Sequence, residues 1–202
     1  MVGIALCAVT VPALALPPPP YVGFDIGRTS IGLDTAAIDE AGLQSTGSDR
    51  RDSGYAITLG WRFSPYLAAE AAFTDLGEGK YTVAVDDGGA VSNATVRVQS
   101  TGVLLALAGT WPLHEKVSLE GRAGAYLGKN ETRVRGVMTG PLGSQDFNNL
   151  LGSESKAGLA AGVGAVFALN DTWGLRAGYD YIDKAFGKDA RRISVGVRFN
   201  WP

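Results

Sequence analysis

With 202 residues, 46% of them hydrophobic, 28 glycines and a formal net charge of −2, the chain has the length of one domain or one barrel. It lacks the basic surplus of a nucleic-acid binder and the acidic excess of a disordered tail. Its one cysteine, Cys7, excludes an internal disulfide framework.

Residues 1–15, MVGIALCAVTVPALA, form an apolar run that ends on the A-x-A-like Ala13-Leu14-Ala15, the pattern of a signal peptide. The run is shorter than the roughly 20 residues of a spanning helix, and residues 16–20, LPPPP, make a stiff lead-in to the first strand-like segment. From residue 21 to 202 the pattern changes to segments of period two, which predict strands whose two sides meet different surroundings.

Residues 21–29 place Val22, Phe24 and Ile26 on one side and Gly23, Asp25 and Gly27 on the other. Residues 55–63 set Tyr55, Ile57, Leu59, Trp61 and Phe63 against Ala56, Thr58, Gly60 and Arg62, and residues 67–74 set Leu67, Ala69, Ala71 and Phe73 against Ala68, Glu70, Ala72 and Thr74. Residues 103–111 follow with Val103, Leu105, Leu107 and Trp111 opposed to Leu104, Ala106, Ala108 and Thr110. In residues 117–127 the second side carries Glu120, Arg122 and Tyr126, and residues 159–167 alternate Leu159, Val163 and Phe167 with glycine and alanine. Residues 173–181 oppose Trp173, Leu175, Tyr179 and Tyr181 to Arg176 and Asp180. The last segment, residues 194–201, opposes Val195, Val197, Phe199 and Trp201 to Ser194, Gly196, Arg198 and Asn200.

Eight strands result, and their connections alternate in length. SPY, PLHEK and NDT are short, whereas the four connections between them are long and polar. Short turns on one rim and long loops on the other predict an eight-stranded antiparallel up-and-down transmembrane β-barrel. Val83, Val85, Val91 and Val96 around DDGG predict a hairpin inside the second long connection. Pro65 and Pro112 are expected in turns, where they delete no ladder hydrogen bond.

From the second strand onward the apolar side carries no Asp, Glu, Lys or Arg, and the other side is small and only sparsely charged. A soluble barrel would place the apolar side within and a crowded polar side without. Here the expectation is the reverse, with lipid against the apolar side and a narrow filled lumen inside. Aromatics near the strand ends, Trp61, Phe63, Trp111, Phe167 and Trp173 toward the short turns and Tyr55, Phe73, Tyr179 and Tyr181 toward the long loops, are expected at the two membrane interfaces. Asp25, Arg62, Glu70, Glu120, Arg122, Arg176, Asp180 and Arg198 all fall on the lumen side, four acids and four bases that can neutralise one another. Arg62 and Glu70 come within diagonal cross-strand reach through SPY.

SPYLAAEAAFTDLG, WGLRAGYDYID and the terminal VGVRFNW resemble the eight-stranded transmembrane domain of the OmpA-like outer-membrane protein family. The resemblance implies an integral protein of the Gram-negative outer membrane, with short turns and both mature termini periplasmic and the long loops extracellular. It implies contact with outer-membrane lipids and lipopolysaccharide, and with periplasmic chaperones and the barrel-assembly machinery, which would read the terminal strand with Gly196, Phe199 and Trp201. Pro202 departs from the family habit of ending on the aromatic.

No catalytic residue, metal site or cofactor is expected. His114, the single histidine, sits in a short turn without a nucleophile beside it, and one histidine with scattered carboxylates falls short of a metal ligand set. The expected function is a noncatalytic envelope anchor whose four loops are free for envelope, host or ligand contact, with no nucleic-acid partner. A narrow channel gated by the lumen ion pairs is the alternative, and the surface partner stays open.

Overall fold

The computed structural model describes residues 19–31, 44–49, 51–86, 91–140, 143–183, 185 and 189–201. The expected signal segment 1–15 and, of the DDGG turn, the residues after Asp86 lie outside the described residues. Among the described residues nine strands follow one another: β1 (Tyr21–Ile31), β2 (Gln44–Asp49), β3 (Arg51–Arg62), β4 (Leu67–Asp86), β5 (Val91–His114), β6 (Val117–Gly140), β7 (Gly143–Ala168), β8 (Trp173–Ile182) and β9 (Ala190–Asn200). β1 and β3 to β9 pair antiparallel in a closed ring of eight, because β4 pairs β5 and β1 pairs β9. Short β2 adds to the upper part of β4, Asp49 opposite Lys80.

Local chemistry makes the short turns. In the β3–β4 turn the Ser64 hydroxyl accepts from the backbone N–H of Tyr66 (3.2 Å) and Leu67 (3.0 Å). In the β7–β8 turn Asn170 Oδ1 accepts from Thr172 (2.9 Å) and Trp173 (2.7 Å). Both are side chains standing in for backbone acceptors where the chain reverses. Pro112 corrects the expectation of a turn residue, since it lies inside β5 at a register shift before His114. An irregular position near a strand end is where a missing N–H does least harm.

The strands facing the long-loop rim correct the expected loops as well. β4, β5, β6 and β7 run to 20, 24, 24 and 26 residues, against the roughly 9–11 that cross a bilayer. The second long connection is the expected hairpin, β4 with β5. The third is also a hairpin, β6 with β7, which its polar sequence did not announce. Beyond the ring, β2, β4, β5, β6 and β7 therefore continue as an upright sheet about 40 Å long, at about 3.4 Å per residue.

A bulge marks where barrel becomes upright sheet. The pairing of β4 with β5 shifts between Asp75 and Glu78, and Gly77 there has φ +84°. Asp75 Oδ1 accepts from Gly77 N–H (2.8 Å), and Asp52 Oδ2 from Glu78 N–H (2.7 Å). A Cβ on Gly77 would stand 2.9 Å from Ser53 O. Gly77→Ala is expected to lower unfolding free energy by about 1–3 kcal/mol, measured by urea titration in lipid vesicles.

Alternation decides which side is which. Leu107, Leu159, Val163 and Ile193 are 64, 73, 63 and 66% exposed on the outer wall, whereas Asp25, Glu70, Glu120, Arg176, Asp180 and Arg198 are buried within it. Hydrocarbon is the surrounding that makes such an exterior stable.

Candidate functional site

The buried charges of the barrel interior form the most elaborate polar arrangement among the described residues. A narrow lumen must find room for long side chains, and small neighbours supply it. Asp25, Glu70, Glu120, Arg122, Arg176, Asp180 and Arg198 each stand directly across from a glycine on an adjoining strand: Gly196, Gly60, Gly164, Gly162, Gly196, Gly162 and both Gly23 and Gly174 in turn. The close approach at Gly196 is typical, with a Cβ there falling 2.4 Å from Asp25 Oδ1.

The charges then connect in alternating sign. Arg122 donates to Asp180 Oδ1 through Nε (2.9 Å) and Nη2 (2.7 Å), and to Glu70 Oε2 through Nη1 (3.4 Å). Arg198 lies 4.0 Å from Glu70 and grips both oxygens of Glu120, Nη2 at 2.9 Å from Oε2. Arg176 donates to the same Oε2 from Nε (3.4 Å) and to Asp25 Oδ1 from Nη1 (3.3 Å). One line of ion pairs thus runs from Asp180 to Asp25 across the lumen.

Two residues outside the expected set belong to it. The Tyr21 hydroxyl donates to Glu70 Oε1, and the guanidinium carbons of Arg198 and Arg62 lie 4.1 and 4.5 Å from the centre of the Tyr21 ring. Arg192, buried opposite Asp180 and Thr29, donates to Asp25 O (3.5 Å). Strand parity carried one residue before Val22 and two before Ser194 would have found both.

Arg62 corrects the expected diagonal pair with Glu70. Tyr21 holds that carboxylate, and Arg62 reaches to the short-turn rim, donating to Pro19 O and Asn200 Oδ1, each at 3.0 Å. Arg192 takes its place among the buried bases, so four carboxylates meet four guanidiniums, Arg122, Arg176, Arg192 and Arg198. Such balance is what keeps buried ions tolerable.

Toward the long-loop rim an apolar layer covers the charges. Leu76, Leu104, Tyr126, Ile182 and Ala185 pack together, the last from the β8–β9 connection. Ser100 Oγ ties the layer, donating to Ala185 O (3.3 Å) and lying 3.2 Å from the Tyr126 hydroxyl. Between layer and charges a void about the size of one water molecule is lined by Thr74, Arg122, Asp180 and Arg192. Arg192 Nε and Asp180 Oδ2 are buried without a protein partner, and a water is the usual partner for such atoms.

On the outer wall Tyr55, Trp61, Phe63, Phe73, Trp111, Phe167, Trp173, Tyr179 and Tyr181 are all exposed. Tyr55 and Phe73 lie 6.2 Å apart near the long-loop end. Phe199 is half-buried between Trp173 (5.0 Å) and Trp201 (5.7 Å) at the other end, and Trp201 N–H donates to Pro20 O (2.9 Å), tying the residue after β9 to the residue before β1.

The family model described as "Outer membrane protein beta-barrel domain" matches residues 2–200. The chain belongs to this outer-membrane β-barrel family. It is therefore an integral protein of the bacterial outer membrane, and the apolar exterior of this family member is its lipid-facing surface. No curated protein matches the chain in sequence. Among solved structures, the barrel is similar to Ail, the attachment invasion locus protein of Yersinia pestis, in complex with the heparin analogue sucrose octasulfate, with TM-score 0.51 and 15% identity over 92% of this chain and 100% of that one. It is also similar to Neisserial surface protein A, with TM-score 0.51 and 20% identity over 90% of this chain and 97% of that one. At these identities the likeness is one of fold.

Proposed function

We propose that this outer-membrane barrel is a noncatalytic anchor that carries an upright β-sheet for contact outside the cell, with the short turns and both mature ends in the periplasm. One contrast supports the reading above the others. The interior holds a neutral ion-pair line and, above it, an apolar layer, while four strands continue far past the length a membrane needs. Material invested beyond the bilayer, on a rigid and closed support, is placed for recognition. The bound heparin analogue in Ail belongs to a barrel of the same fold, and it makes sulfated glycans a reasonable first probe for the sheet. Periplasmic chaperones and the barrel-assembly machinery are the partners during biogenesis, with β9 and the Trp201 that follows it as the segment read.

The orientation is tested on intact cells with a membrane-impermeant maleimide, in a Cys7→Ser background. Glu154→Cys, in the upright part of β7, is expected to label from outside, and Glu115→Cys, in a short turn, only after permeabilisation. The reverse pattern overturns the reading. The channel alternative draws on the void beside Arg192 and Asp180. Planar-bilayer recordings are expected to give no unitary steps, and steps that change size in Arg176→Ala would establish the channel instead.

A further inference from the structure

Within the ring each strand has a neighbour on both sides, but β7 rises out of it with only one. Residues 160–167 of β7 pair with β8 and with β6, whereas residues 143–157, leaving aside the shift at Leu151, pair with β6 alone among the described residues. The change comes at Leu159, whose carbonyl accepts from Asp183 N–H (2.8 Å). Backbone groups of successive residues point to alternate edges of a strand, so Ser153, Ser155 and Ala157 aim N–H and C=O the same way as Leu159, away from β6. Gly152, Ser153, Glu154, Ser155 and Ala157 are all exposed.

The two edges of the upright sheet differ. β2 is six residues long and its pairing shifts between Ser45 and Gly47, and a short, irregular edge is a poor template for a further strand. The β7 edge is about 50 Å long and regular except where Thr132 and Arg133 meet Gly152 and Leu150. Its neighbour β6 has two unlike sides. Arg133 and Arg135 are exposed on the outer one, and Thr132 and Val134 are half-buried on the inner one, in line with Tyr126. On the inner side of the edge itself Lys156 and Glu154 neutralise each other at 2.8 Å.

We infer that the free edge of β7, residues 143–157, takes up an extended segment of a partner protein as an added antiparallel strand, with apolar and polar side chains in alternation. Hydrogen-bond chemistry argues for a protein. The edge repeats a donor and an acceptor together at every second residue, about 6.8 Å apart, and another peptide backbone repeats both at that spacing. Direction argues against a second copy of this chain as the partner. Two copies in one membrane are related by an axis along its normal, which runs their β7 strands parallel and level, Ser155 beside Ser155. Parallel pairing instead sets each edge-facing residue level with a residue that faces away, a stagger of one residue that this axis forbids. The inference rests on the upright sheet being the contact surface proposed above, and it names the edge and the kind of partner.

The probe is a fluorescent peptide that copies residues 129–140, KNETRVRGVMTG, a segment that already pairs antiparallel with β7 on its other edge. It is titrated into the full chain in detergent, and amide hydrogen exchange is read in both states. In the free chain the amides of Ser153, Ser155 and Ala157 are expected to exchange fast, and the peptide is expected to slow them without slowing those of β2. Ser153→Pro/Ser155→Pro removes two outward donors and leaves the β6 ladder whole, so it is expected to weaken peptide binding about tenfold. Heat-modifiable gel migration checks that this variant is folded, and should it fail to fold, the exchange pattern of the unaltered chain carries the test. Absence of peptide binding, equal binding by the variant, or slow exchange of the three amides before peptide is added overturns the inference. A concentration-dependent dimer that protects them overturns it in favour of a second copy, and protection by a heparin fragment in favour of a glycan. Binding by the purified chain does not depend on orientation in the cell, so failure here and inverted maleimide labelling are distinct results.

Discussion

Glu120→Ala is expected to lower the free energy of unfolding by about 3–5 kcal/mol, the largest effect of any single truncation in the barrel. Among the described residues, Glu120 is the one carboxylate gripped by two guanidiniums through hydrogen bonds, from Arg198 and from Arg176. Its side chain and theirs are each more than nine-tenths buried. Alanine would leave both cations buried without that carboxylate, and removal of one partner is far more harmful than replacement of a whole pair. The double variant Glu120→Ala/Arg198→Ala is accordingly expected to lose less than the sum of its single changes, since it restores neutrality. Glu78→Ala, which breaks only half-exposed pairs on the upright sheet, is expected to lose under about 1 kcal/mol. Urea unfolding in lipid vesicles measures all three. An equal loss for Glu78→Ala and Glu120→Ala would remove the ion-pair line as a source of stability.

Leu105→Arg is the second large effect, expected at about 2–4 kcal/mol near the bilayer midplane. Leu105 is exposed on the lipid-facing wall, paired with Ala71 and Ala125, and no carboxylate lies on that side of β4, β5 or β6 within the belt. A guanidinium there must drag water into the hydrocarbon or stretch toward an interface. The same substitution at Gln99, exposed on the upright part of β5 and on the same side as Leu105, is expected to be nearly neutral, because water already reaches it. Refolding yield and urea unfolding in the same vesicles separate the two.

The ring of strands was legible because hydrocarbon on one side and a packed lumen on the other impose alternation at every residue. Asp25, Glu70 and Glu120 fell on the inner side for that reason alone. The upright parts of β6 and β7 were not legible. Their sequence there, such as SQDFNNLLGSESK, carries no periodic apolar signal, and the pairing that makes it a strand comes from the neighbouring chain segments. Arg192 was missed because Arg191 and Arg192 form a charged pair at the rim, where the outer side is no longer apolar and parity loses its contrast. Arg62 was placed on the correct side and given the wrong partner. A long side chain near a rim can carry its charge outward along its own stem, which strand register by itself does not reveal. The Tyr21 ring, packed so closely against Gly60 that a Cβ there would fall 2.1 Å from it, occupies the ground between Arg62 and Glu70.

The central claim is the direction of the two sides, and methyl contacts with lipid test it without any substitution. In nanodiscs, nuclear Overhauser effects to acyl-chain protons are expected from the methyls of Leu105, Leu107 and Val195, and none from Ala106 or Ala108. Acyl contacts at Ala106 and Ala108, with Leu105 and Leu107 silent, would contradict the account.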